Sequence, residues 1–112
     1  MKIEHDLLPI LSDDDFEAEV LRSSQPVLVD FGARWCPPCR ALAPVVAQLA
    51  RDYAGKVKMR QLDVDDCPRA PTRFEVRSVP TLLLFAEGRV VGQIVGAVAR
   101  PAIEALLAKL PG

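Results

Sequence analysis

Pro26–Cys39 reads PVLVDFGARWCPPC: an apolar, β-branched run, a short link, and two cysteines separated by two residues. PVLVDF lacks the polar alternation of a half-solvated strand, so it reads as a central strand covered by helices on both faces, with Asp30 as an anomaly inside it. From Pro37 onward Ala41, Leu42, Val45, Val46, Leu49, Ala50 and Tyr53 recur at helical spacing, which predicts an amphipathic helix closed by Gly55. Pro44 lies within it and predicts a kink, because proline lacks the N–H and crowds the carbonyl one turn earlier. The cysteine pair therefore falls at the carboxyl end of a central strand and the start of a helix, where α/β sheets place their sites.

Outward from that stretch, Ser12 and Asp15 form a capping-box pattern ahead of Phe16, Val20 and Leu21, which suggests a short first helix. Val57–Val64 reads as a strand and Cys67–Phe74 as a short helix interrupted by prolines. Thr81–Ala86 and Arg89–Val95 flank Glu87 and Gly88, a hairpin signal, and Ile103, Leu106, Leu107 and Leu110 mark a terminal helix. A parallel start joined by helical crossovers and followed by an antiparallel hairpin implies an α/β fold with a mixed central sheet. With 112 residues and no repeat or linker, a single domain spanning 1–112 is expected.

Half of the residues are apolar and 26% are charged, which excludes disordered and fibrous classes. A formal net charge of -1 provides no basic surplus for phosphates or anionic lipid, so neither nucleic acid nor membrane is an expected partner. No apolar run is long enough to span a bilayer, and Met1–Asp6 carries acids where a secretory leader would have a basic head.

The chemistry resides in Cys36 and Cys39. A cysteine at a helix N-terminus has its thiolate favoured by unpaired N–H groups and by the positive end of the helix dipole, and Arg34 and Arg40 flank Cys36 with further positive charge. Cys39, one turn on, is placed to attack a mixed disulfide on Cys36, so a pair with one exposed and one shielded sulfur moves two electrons without a bound cofactor. The alternatives are a structural disulfide and half of a zinc site; zinc needs two more ligands, and only Cys67 and His5 remain, at unhelpful spacing. No metal is expected, Cys67 reads as a small buried hydrophobe or a regulatory thiol, and His5 as solvated.

WCPPC (Trp35–Cys39) after VDF, SVPT (Ser78–Thr81) and VGA (Val95–Ala97) together resemble the thioredoxin family from about Leu11 to Leu110. RSVPTLLLF and GAVARP are most similar to the second bacterial group, whose extra zinc-binding cysteines are absent here. The resemblance implies a thioredoxin fold, with about five strands in a mixed sheet flanked by about four α-helices. It implies a protein-disulfide reductase with Cys36 as nucleophile, Cys39 as resolving thiol and Asp30 as buried acid or base. Trp35, Val79, Pro80 and Gly96 would form the substrate groove, Pro80 as a cis-proline turning the Val79 backbone outward to pair with an extended substrate. The redox-active disulfide is the only cofactor implied, with NADPH acting indirectly through a thioredoxin reductase, and a cytoplasmic monomer is the expected state.

Departures from the family pattern mark where tuning is expected. Pro37, beside Pro38, replaces a common glycine and removes a backbone donor; Gly32 stands where an aromatic residue is usual; Gln61 stands where a lysine usually neighbours the buried acid, so Asp30 is expected to hold its proton more tightly. Two other readings fit the same motifs: a dedicated redox partner in cytochrome maturation, and a binding or chaperone module using the groove around Trp35 and Pro80.

Overall fold

The computed structural model describes residues 8–111, and the readings made for His5 and Met1–Asp6 lie outside the described residues. Strand β1 (Val27–Gly32) pairs in parallel with β2 (Lys58–Asp63) on one side and antiparallel with β3 (Thr81–Ala86) on the other. β4 (Arg89–Val95) completes the order β2-β1-β3-β4. A parallel pair needs a crossover, and α1 (Pro37–Asp52) supplies it; α2 (Arg69–Arg73) joins β2 to β3, and α3 (Arg100–Leu107) follows β4.

The mixed sheet with helices on both faces agrees with the sequence reading, and its periphery differs. Against the roughly five strands the resemblance implies, the sheet has four among the described residues, with a single parallel bridge, Ile10 to Gln61, beside β2. Gln61 donates its N–H to the Pro9 carbonyl at 3.0 Å and Leu11 donates to the Gln61 carbonyl at 2.8 Å, while Pro9 has no N–H with which to extend the ladder. The reciprocal bonds of the capping box form between Ser12 and Asp15. They lead into one π-helical turn, Glu17–Leu21, closed by the Arg22 N–H on the Glu17 carbonyl at 2.9 Å. α1 is continuous across Pro44, and Ala41, expected on its apolar stripe, faces solvent.

Alternation along β1 decides what each face receives. Val27, Val29 and Phe31 enter one core with Phe16, Val20, Leu83 and Phe85. Leu28 enters the other, beneath α1 and α3, with Leu42, Val46, Leu49, Met59 and Ile103. Asp30 and Gly32 follow Leu28 at steps of two, and Gln61 and Asp63 follow Met59 in the same way on β2. The register sets Asp30 against Gln61 and Gly32 against Asp63, so these four residues share one corner under the start of α1.

The β3–β4 hairpin turns on Glu87 and Gly88, at φ 53° and 78°, the doubly left-handed backbone of a type I′ turn. A Cβ on Gly88 would also come within 3.0 Å of the Leu21 carbonyl oxygen. Gly88→Ala is expected to lower stability by about 1–2 kcal/mol, against the usual small gain from replacing glycine. Urea unfolding checks it; an unchanged midpoint would mean that the turn does not need glycine.

Candidate active site

Cys36 is the N-cap of α1 and is joined to Cys39 by a disulfide, with 5.2 Å between their Cα atoms. The link from β1 is held by the Cys36 N–H on the Ala33 carbonyl at 3.1 Å. Cys39 heads the buried stripe of α1, ahead of Leu42, Ala43, Val46 and Ala47, so the packing of the helix fixes where its sulfur points. Pro37 and Pro38 occupy the first two helical positions and carry no N–H. The supply of free helix donors is thus smaller than the sequence argument assumed: the Cys39 N–H, 3.2 Å from the Cys36 Sγ, is the one the first three helical residues provide.

The expected contrast of one exposed and one shielded sulfur is absent in this disulfide form. Cys36 is 3% exposed and Cys39 is 7% exposed. What separates them is surroundings: both belong to one small cluster with Ala33, against which the half-buried Val64 and Val79 pack, but of the two it is Cys39 that borders a cleft of about 580 Å³ shared with Asp30, Gly32, Arg40, Gln61 and Asp63.

Asp30 is 4% exposed, and its Oδ1 has no hydrogen-bond partner among the described residues. Burial without a compensating cation disfavours the carboxylate and raises its pKa from 3.8 to about 7. The Gln61 amide, directly across the ladder, donates to the Leu8 carbonyl at 3.0 Å. The acid is therefore poised to gain or lose a proton near neutrality, on the side of α1 where Cys39 lies.

The two arginines that flank Cys36 in sequence both have partners. Arg34 is paired with Asp66 at 2.7 Å, and the Arg40 guanidinium donates to the Arg34 carbonyl at 2.5 Å. Trp35 is 66% exposed, its indole N–H held by Asp65 at 2.7 Å. Asp63 ties this loop together, accepting from the N–H groups of Asp65 and Asp66 through Oδ1 and of Arg34 through Oδ2. The sequence reading missed these three acids. Their signal is LDVDD at the carboxyl end of β2, the same sheet edge as the cysteines.

On the opposite side of the disulfide the Val79–Pro80 peptide is cis and Val79 packs on the cysteine cluster. Pro80 accepts the Gly96 N–H at 2.8 Å; Gly96, at φ 97°, has open space where a Cβ would stand. Cys67 is apart from this centre: it is buried, its thiol donates to the Leu11 carbonyl at 3.5 Å, and burial together with Asp13 holds its pKa above the ordinary value. It lacks the environment of a reactive thiolate.

The thioredoxin family model matches residues 8–109. A thioredoxin of Haemophilus influenzae is 51% identical over 78% of this chain and 81% of its own length. Thioredoxin C-2 of Corynebacterium nephridii is 46% identical over 86% of this chain and 89% of its own. A thioredoxin of Acidithiobacillus ferridurans is 41% identical over 91% and 94% respectively.

The raised pKa of Asp30 makes stability depend on pH. Below 3.8 the folded and unfolded chains both hold the proton and nothing is lost; between 3.8 and about 7 only the unfolded chain releases it, so stability falls as pH rises through that window. The fall amounts to roughly 4 kcal/mol at 1.36 kcal/mol per pKa unit. Asp30→Asn should match the wild type near pH 4 and exceed it by a few kcal/mol above pH 8. Urea unfolding at both values tests this, and a difference independent of pH would contradict the burial argument.

Proposed function

The chain belongs to the thioredoxin family and is a thiol-disulfide oxidoreductase, and on that premise we propose how its residues divide the reduction of protein disulfides. The Cys36 thiolate attacks a substrate sulfur, breaking the substrate disulfide and forming a mixed disulfide. Cys39 then attacks the Cys36 Sγ, which closes the protein disulfide and releases the second substrate thiol. Asp30 takes the proton from Cys39 as it becomes nucleophilic.

The observation that carries this division is the placement of the two cysteines on α1. Cys36 lies at the cap, where the chain enters the helix; Cys39 lies one turn in, on the buried stripe, and borders the cleft that Asp30 also lines. An extended substrate segment crosses Trp35, Val79, Pro80 and Gly96, with the open space above Gly96 admitting its backbone. Arg34, Arg40, Pro37, Pro38 and Gln61 set the reactivity of the pair. The oxidised protein is recharged by a thioredoxin reductase drawing on NADPH, and the protein works as a cytoplasmic monomer of one domain. No helix among the described residues is long and apolar enough to cross a membrane. No observation favours the cytochrome-maturation or the binding-module reading.

The two cysteine variants should fail differently. In insulin reduction driven by dithiothreitol, Cys36→Ser should fall to background, whereas Cys39→Ser should accumulate covalent mixed disulfides with insulin chains. Turnover by both variants, or trapping by Cys36→Ser alone, would overturn the assigned roles.

A further inference from the structure

The cleft that Cys39 borders is a different surface from the proposed peptide groove, since none of Trp35, Cys36, Val79, Pro80 or Gly96 lines it. At about 580 Å³ it has the size of a small-molecule site. Its walls are largely apolar, with the exposed Ile10 and with Ala33, Ala43 and Leu62 among them. Gly32 keeps it open: a Cβ there would stand 3.4 Å from the Cys39 Cβ and 3.9 Å from the Asp30 Oδ1, so the missing side chain leaves space beside the carboxyl.

The polar side chains of the lining are engaged, with one exception. Arg34 is paired with Asp66, the Arg40 guanidinium donates to the Arg34 carbonyl, Asp63 accepts three backbone N–H groups, and Gln61 donates to the Leu8 carbonyl. Asp30 is the exception: it is 4% exposed, and its Oδ1 is buried with no hydrogen-bond partner among the described residues. The balance of charge points the same way. Two arginines and three aspartates line the cleft, so an ionised Asp30 leaves one negative charge in excess. A buried carboxylate without a counter-ion is costly, and a cation that brings N–H donors to it relieves both the charge and the unmade hydrogen bond.

We infer that this cleft is a binding site for a small organic monocation, an amidinium or ammonium head on a compact apolar body, with the head on the Asp30 carboxylate and the body against Ile10, Ala43 and Leu62. The inference concerns binding alone and holds whichever cysteine attacks substrate. Because the head pairs with the ionised carboxyl, the ligand and the Asp30 proton exclude one another. Burial raises the Asp30 pKa from 3.8 to about 7, so affinity is full above that pH and falls about tenfold for each unit below it. Around Asp30, β2 presents Gln61 and Asp63, α1 presents Cys39 and Arg40, the adjoining loops present Arg34 and Asp66, and β3 sets the uncharged Leu82 against it. Asp30→Asn separates its charge from theirs.

Benzamidine is the probe, because it stays cationic throughout this range, and benzamide is its uncharged counterpart of the same shape. In the disulfide form, NMR titration at pH 8 should move the amide signals of Gly32, Ala33 and Arg40 saturably and leave the Trp35 indole and Gly96 signals in place. Affinity should be about tenfold weaker at pH 6. Saturating benzamidine should also move the midpoint of the Asp30 side-chain carbon signal to lower pH. Asp30→Asn should weaken binding at pH 8 by about tenfold or more and remove its pH dependence, and Gly32→Trp should abolish it. No saturable shift, shifts centred on Trp35 and Asp65, equal affinity for benzamide, or equal affinity at the two pH values would each overturn the inference, as would undiminished binding by Asp30→Asn. Should Gly32→Trp not fold, the wild-type titrations decide the matter by the same outcomes.

Discussion

Strand β1 is covered on both faces, and most of the molecule follows from that constraint. It lies between a parallel and an antiparallel neighbour, with one core on each side, so Val27, Leu28, Val29 and Phe31 are entirely buried. Such a strand needs helices on both faces and a helical crossover to its parallel partner, which places the start of α1 immediately beyond its carboxyl end. A carboxyl in that strand is largely withdrawn from bulk water. Alternation then sends it to the α1 side, where the first buried residue of the helix is Cys39.

The local electrostatics are quieter than a helix start flanked by arginines suggests. Prolines remove the donors of two helical positions, Arg34 is held by Asp66, and Asp63 at the end of β2 accepts from the N–H groups of Arg34, Asp65 and Asp66. An exposed pair such as Arg34 with Asp66 adds little stability. The unbalanced group is the buried one, Asp30, because no cation opposes its desolvation.

The sequence made the centre legible and the edges less so. PVLVDF, the spacing of α1 and the two halves of the hairpin depend on burial patterns that leave a periodic trace, and their elements lie where that trace puts them. Among the described residues the segment before the first helix pairs with β2 only through the Ile10 bridge, where Pro9 cannot donate, and the first helix became one π turn, outcomes set by a few hydrogen bonds that periodicity does not record. Asp30, Trp35, Cys36 and Cys39 were readable from motif and position. The partners of the arginines were not, because pairing across loops such as Arg34 with Asp66 depends on tertiary placement. The space beside Gly32 could be anticipated only as weaker packing; its extension to Cys39 required the register of Asp30 with Gln61 and Gly32 with Asp63.

The account turns on one buried carboxyl that gains and loses its proton near neutral pH on the Cys39 side of β1, and carbon NMR of the Asp30 side-chain carboxyl, titrated in the disulfide form, measures it directly. The account predicts a midpoint near 7. A midpoint in the ordinary range near 3.8 would show that the carboxyl is solvated, and would contradict both its burial by β1 and its part in proton transfer.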